Sequence, residues 1–302
     1  MKDKIARLKA LLHGGVAPAL ATPILADGVS VNTAVLPQLI NFLLDAGVSG
    51  LFVGGTTGEG VLLSDAERMR LHETAVSVVD GRVPVILHTG TNQLESTLAL
   101  CRHAEQIGAD AVAVVTPYFY KMNDDGLAAY YHQVAVSAPS LPLMLYDIPQ
   151  LAVNGITPSL LARLGAEIPS LLGIKSSRPD AQIVRQLLDA APPQLLFLAG
   201  NEAAALGMLA LGADGLISGL STAVPEPFIA LTQAFFNGEI VEAQQHQRHI
   251  NRLLAQLPAG ARIGAIKQTL AGRGIEMGTA VPPRPMPRED IWLRIRPLLE
   301  TA

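Results

Sequence analysis

The chain has a single cysteine, Cys101, in 302 residues, so no internal disulfide framework holds it together. Aromatic residues are sparse at 4%, with one tryptophan. Charged residues make up 16% and leave a formal net charge of −4, with no stripe of lysine and arginine. That balance argues against nucleic acid as a partner. No run of ~18 or more apolar residues is free of charge and proline, so no transmembrane helix is expected and no membrane partner. The opening MKDKIARLKALLHGG lacks the apolar core and cleavage site of a secretory leader and reads as a solvated N-terminal helix. These absences point to a cytoplasmic protein.

What is present is apolar. Hydrophobic residues reach 49%, and mean hydropathy is +0.34. The surplus points to subunit contacts. The length allows one α/β barrel of ~250 residues with an extension, or two domains.

Apolar runs alternate with amphipathic stretches along most of the chain. Eight runs read as strands: residues 16–23, 49–55, 84–90, 109–117, 141–149, 171–177, 195–201 and 214–221. The stretches between them open with Ser, Thr or Asp and close near Gly, as capped helices do. Leu94, Leu98, Cys101 and Ala104 recur at helical spacing, which makes Cys101 a core residue. Continuously apolar strands are covered on both faces, so the sheet is parallel. Eight strand–helix units fit an α/β (β/α)8 TIM barrel, with a doubly wound open sheet as the alternative. The division expected is residues 1–238 for the barrel and its short N-terminal segment, and 239–302 for a C-terminal helical extension. VPPRPMPRED, residues 281–290, reads as a connector before a last helix.

In such a barrel the chemistry lies at the C-terminal ends of the strands. There LLGIKSS places Lys175 in an apolar strand, and YDIP places Tyr146 at the end of the strand before it. Neighbouring parallel strands lie ~4.8 Å apart, so the amine and phenol can meet above the barrel. A desolvated lysine has a lowered pKa and is a nucleophile able to form a Schiff base. The bland alternatives are a lysine whose head reaches solvent and a buried ion pair. GGTTGEG, residues 54–60, follows the second strand. Its N–H groups with Thr56 and Thr57 suit a small carboxylate, while a tight turn is the alternative. Glu59 reads as a structural acceptor.

In order and spacing, GGTTGEG, VTPYFY, YDIP and GIKSS resemble the dihydrodipicolinate synthase/N-acetylneuraminate lyase family. The likeness runs from about Gly15 through the last barrel unit and more loosely beyond. It implies a (β/α)8 barrel with a helical extension, and a class I aldolase reaction between pyruvate or another 2-oxo acid and an aldehyde. It implies no cofactor, no catalytic metal and a homotetramer built as a dimer of dimers. It makes Lys175 the Schiff-base lysine and Tyr146 the proton shuttle. It puts Thr56 and Thr57 on the 2-oxo acid carboxylate, with a link to Tyr146, Ile217 against the bound acid and Gly200 at the pocket wall.

Three positions depart from the synthase pattern. Leu151 stands where the synthases carry an arginine for the carboxylate of aspartate semialdehyde. Phe119 replaces a tyrosine donated across a subunit interface, with Tyr118 or Tyr120 as substitutes. Asp147 replaces an asparagine. HTGTNQLES and GIKSS lean toward the 2-keto-3-deoxy sugar-acid aldolases, with a 4-hydroxy-2-oxoglutarate type substrate also open. Ser176, Ser177, Arg178 and Asn201 are candidates for the polar end of such a substrate. Three other readings compete. A metal site would use His246 and His249, or His88; a phosphate-binding barrel would use the loops after strands seven and eight. A binding protein would keep the pocket without the chemistry.

Overall fold

The computed structural model describes residues 1–300. Eight strands form one parallel sheet: β1 (Val16–Pro18), β2 (Leu51–Val53), β3 (Val85–His88), β4 (Ala111–Val115), β5 (Leu143–Asp147), β6 (Leu171–Ser176), β7 (Leu196–Ala199) and β8 (Gly215–Ser218). Every strand lies inside one of the eight apolar runs. The runs overshoot because their ends are loop residues at the two mouths of the barrel. Ladders join β2 through β8 in sequence and β8 to β1. The seam closes where Ser49 N donates to Val16 O and Leu20 N donates to Phe52 O, both at 2.9 Å. The result is a (β/α)8 barrel.

Helices fall where the amphipathic stretches predict, among them Leu36–Asp45, Asp65–Val79, Leu94–Gln106 and Asp124–Ser137. Side chains of Ser64 and Asn123 accept from the N–H groups of Glu67 and Gly126, satisfying donors that a helix start leaves open. Cys101 is buried in the helix layer, with Thr89 Oγ1 3.1 Å from its sulfur.

The core has two shells, separated by the strand alternation. The outer shell packs strand residues such as Val53, Leu145 and Ile174 against the helices. The inner shell fills the barrel with Phe52, Ile86, Met144, Tyr146, Leu172, Leu198 and Ile217. Leu8 and Leu12 belong to this inner shell. The N-terminal helix (Lys2–Leu12) is therefore a plug on the barrel floor, which corrects the expectation of a fully solvated helix.

One irregularity decides which residues face inward. The pairing of β5 with β6 slips at Leu143/Met144, so that Leu171 opposes Leu143 while Gly173 opposes Met144. This is a bulge, one extra residue in β6. A Cβ at Gly173 would collide with the Leu196 carbonyl oxygen. Leu172 faces in and Ile174 faces out, so the alternation has skipped a beat, and Lys175 points into the barrel.

After β8 come the helix Glu226–Phe236, a turn at Gly238, and the helices Ile240–Leu254, Arg262–Gly272 and Trp292–Glu300. Their residues Ile250, Leu253, Ile266 and Ile295 share the barrel's outer hydrophobic shell. Residues 277–284 cross back to the barrel mouth, where Met277 O accepts from Ile24 N at 3.0 Å. They are not a free connector. The Lys267 ammonium pairs with Glu59 Oε2 at 2.6 Å and donates to Thr279 O at 2.7 Å. Glu59 Oε1 accepts from Val281 N at 2.9 Å. Both charged side chains are fully buried, so this pair clamps the returning strap to the GGTTGEG loop. The role expected of Glu59 as a structural acceptor holds.

Candidate active site

Tyr146 on β5 and Lys175 on β6 are direct partners in the register. Lys175 is buried, and its ammonium nitrogen lies 3.9 Å from the Phe52 ring centroid and 4.2 Å from that of Tyr146. Ring faces attract a cation, but more weakly than a carboxylate would. Burial lowers the Lys175 pKa to about 7, with Glu202 pulling it back up. The contrast with Lys267 is informative. Both lysines are buried, yet one is matched by a carboxylate at contact distance and the other faces two aromatic rings. Near pH 7 a large fraction of Lys175 is therefore free amine.

Tyr146 Oη lies 2.9 Å from Thr56 Oγ1. Burial raises the phenol to about 12, against the pull of the Thr56 and Ser177 hydroxyls. The phenol thus holds its proton and can lend it to a neighbouring group. Thr57 lines the same cleft. Among the described residues, the N–H groups of Thr56 and Thr57 donate to no backbone carbonyl, which leaves them open to an anion. A Cβ at Gly219 would stand 2.6 Å from Thr57 Oγ1, so that glycine sets how closely the β8 loop approaches the threonine.

The cleft over Lys175 has a volume of about 480 Å³. Gly200 forms its wall: a Cβ there would be 3.3 Å from Lys175 Cε. Asn201 and Ser177 also line it, and Leu151 stands on its lip at 60% exposure. Ile217 lies beneath, in the inner shell.

Two expected residues are not in the cleft. Ser176 follows Lys175 and so points out of the barrel, where it donates to Asp147 Oδ2 at 2.9 Å. Arg178 pairs with the same carboxylate at 2.6 Å through Nε and donates to Ile156 O. Asp147 also accepts from Ile156 N, so it is the hub that ties the loop after β5 to the loop after β6. Ser176 and Arg178 therefore brace the site from behind and do not touch its contents. Of the four polar candidates, Ser177 and Asn201 are the two that line the cleft.

Glu202 is a site residue that the sequence reading missed. It lines the cleft, accepts from Ser218 Oγ and Leu220 N at 2.7 and 2.6 Å, and pairs with Arg262. An acid three residues past the end of a barrel strand was the available signal. Phe52, the ring under the lysine, carried none, because a phenylalanine in an apolar strand reads as core. His88 lines an adjoining cavity, and its ring sits 5.6 Å from that of Tyr146. His246 and His249 lie on the helix Ile240–Leu254, beside Glu242 and Arg252. No group of three or more potential metal ligands occurs among the described residues. No helix among them is long and apolar enough to cross a membrane.

Phe119 has φ of +79° and is 75% exposed, with Tyr120 beside it at 74%. Positive φ is costly for an aromatic residue.

The sequence matches the dihydrodipicolinate synthetase family over residues 12–299. It is 36% identical over 245 residues to 4-hydroxy-tetrahydrodipicolinate synthase of Salinibacter ruber, covering 81% of this chain and 80% of that one. The fold superposes on the sialic acid aldolase of Ruminococcus gnavus with a TM-score of 0.91 at 26% identity, covering 96% and 98% of the two chains. It superposes on YagE, an E. coli prophage protein solved in complex with pyruvate, with a TM-score of 0.88 at 30% identity, covering 95% and 97%. The chain belongs to the dihydrodipicolinate synthetase family and is one of its class I, Schiff-base-forming lyases.

Proposed function

We propose that the protein cleaves or forms a carbon–carbon bond between pyruvate and an aldehyde, on a 2-keto-3-deoxy sugar acid, with Lys175 as the covalent catalyst. The observation that carries this reading is the buried, carboxylate-free Lys175 amine beside the Tyr146–Thr56 pair. The neutral amine adds to C2 of pyruvate, and the carbonyl oxygen becomes a hydroxyl using the proton delivered through Tyr146. Loss of water gives the protonated imine. The imine draws electrons from C3, which releases a proton to become the enamine. The enamine carbon then attacks the aldehyde carbon, whose oxygen takes up a proton. Hydrolysis of the new imine frees the product and restores the amine. Cleavage is the same sequence reversed. The open N–H groups of Thr56 and Thr57, with their hydroxyls, hold the pyruvate carboxylate, and Gly200 leaves room for the imine beside Lys175.

A second reading is 4-hydroxy-tetrahydrodipicolinate synthase, with aspartate semialdehyde as the aldehyde. It is favoured by the name of the Salinibacter relative. Leu151 weighs against it, since an alkyl side chain cannot hold a carboxylate. The exposed Phe119–Tyr120 pair supports a homotetramer in which this corner packs on another subunit.

The test is reduction of the protein with borohydride in the presence of pyruvate, followed by peptide mapping. A reduced adduct on Lys175, absent in Lys175→Ala, is expected. A folded protein that gives no adduct with pyruvate or other 2-oxo acids would refute the reading. Cleavage of 2-keto-3-deoxy acids, against turnover of aspartate semialdehyde, separates the two substrates.

A further inference from the structure

A second cavity of about 210 Å³ lies on the far side of Tyr146. It shares Thr56, Tyr146, Ile148 and Leu151 with the Lys175 cleft, so the two form one branched site. Its walls are largely apolar, with Val61, Val115 and Ala152 among them. Arg284 is its one formally charged lining residue, since burial and the nearby Arg68 push the His88 pKa far down and keep that ring neutral. His88 Nδ1 lies 3.0 Å from Gly54 O, and its buried Nε2 has no partner.

We propose that Arg284 is a specificity-determining residue, holding an anionic group at the far end of the aldehyde partner. The proposal rests on the Schiff-base reading above and names the class of its second substrate. Three observations carry it. First, no carboxylate among the described residues lies within ion-pair distance of the Arg284 guanidinium, whereas Arg262, the arginine of the Lys175 cleft, is already matched by Glu202. Second, Arg284 is held in place. Its N–H donates to Val281 O at 3.0 Å, and Val281 is fastened by Glu59, whose partner Lys267 also holds Thr279. A buried ion pair thus fixes the strap that carries this side chain. Third, the apolar walls, Leu151 included, strengthen a charge-assisted hydrogen bond by excluding water. The reading makes the sugar-acid substrate a species with acid groups at both ends, its second terminus a carboxylate or a phosphate.

The experiment compares kcat/KM for condensation of pyruvate with neutral aldehydes (glycolaldehyde, glyceraldehyde), carboxylate aldehydes (glyoxylate, aspartate semialdehyde) and glyceraldehyde phosphate. The proteins are wild type, Arg284→Gln and Arg284→Lys, and borohydride trapping with pyruvate is run on each. Wild type is expected to prefer one of the anionic groups by about 10- to 100-fold over neutral aldehydes, the range of a charge-assisted hydrogen bond. Arg284→Gln should erase that preference mainly through KM for the aldehyde, while Arg284→Lys keeps part of it. The pyruvate adduct on Lys175 should still form. Whether carboxylate or phosphate is preferred identifies the anion. Equal use of anionic and neutral aldehydes by wild type, or an equal loss of both in Arg284→Gln, overturns the proposal while leaving the aldolase reading intact. Absence of any adduct in wild type removes the aldolase reading and this proposal with it.

Discussion

Replacing the nucleophile should make the protein more stable, and by an amount that depends on pH. Lys175 has an ordinary pKa of 10.5, lowered by burial to about 7. Such a depression corresponds to about 5 kcal/mol, at about 1.4 kcal/mol for each factor of ten. The Phe52 and Tyr146 ring faces return about 1–2 kcal/mol of attraction to the ammonium, which an uncharged side chain forgoes. Lys175→Met keeps most of the stem volume and removes the charge, so a gain of about 3 kcal/mol is expected at pH 6. Below pH 7 the amine is protonated in both folded and unfolded chains, and the penalty of burying the charge is felt in full. Between pH 7 and 10.5 only the unfolded chain keeps the proton, so wild-type stability climbs with pH toward that of the variant. The gap should shrink by about 2.5 kcal/mol between pH 6 and about pH 9. Thermal melts of both proteins at the two pH values test this, with a gap of roughly 5–10 °C at pH 6. A variant less stable than wild type at pH 6, or a gap that does not change with pH, would refute the claim that the lysine is stored as a costly buried cation.

Other consequences can be measured directly. The initial rate of trappable pyruvate adduct should rise about tenfold from pH 6 to about pH 8, following the free-amine fraction of a group with pKa near 7; a flat profile would contradict the lowered pKa. Tyr146→Phe removes the proton carrier and should lower kcat by about 10²- to 10⁴-fold in steady-state assays, with pyruvate affinity less affected. Glu59→Gln strands the buried Lys267 charge and should cost about 3–5 kcal/mol in denaturant unfolding, while adding Lys267→Met should recover part of it. Gly219→Ala drives a Cβ against Thr57 Oγ1 and should raise KM for pyruvate by about tenfold or more; an unchanged KM would show that the position of Thr57 does not govern carboxylate binding.

The barrel was legible because parallel strands covered on both faces must be apolar throughout, and eight such runs stand out from amphipathic helices. The pairing of Lys175 with Tyr146 followed from strand adjacency and survives at the level of register. What failed to show was anything set by the phase of a strand or by chain returning from far away. Counting along β6 cannot reveal the extra residue at Gly173, so the sequence named Ser176 and Ser177 together and could not tell that only Ser177 lines the cleft. Arg178 and Asp147 are polar residues near a catalytic strand, and composition alone does not tell a brace from a binding group. Residues 281–290 do lead to a last helix, but their anchoring to the barrel could not be read, because the clamp joins Glu59 to Lys267 across most of the chain. The trace of it in the sequence was Lys267 itself, the one charge in the run IGAIKQTL.

The bulge in β6 makes the identity of the catalytic face a matter of parity. A point substitution changes one side chain, but loss or gain of one residue before Lys175 exchanges the whole inward set of the strand's end for the outward one. Lys175 would be turned among the helices, and Ser176 would enter the cavity. With one residue gained, Asp147 would lose its serine donor and face the ammonium; with one lost, Ser177 would take the register position of Ser176. Variation around this site is therefore open to substitution at Leu151, Ser177 or Asn201 and closed to insertion or deletion between Leu171 and Lys175. A sequence alignment that places a gap there describes a different molecule, however well its residues match on either side.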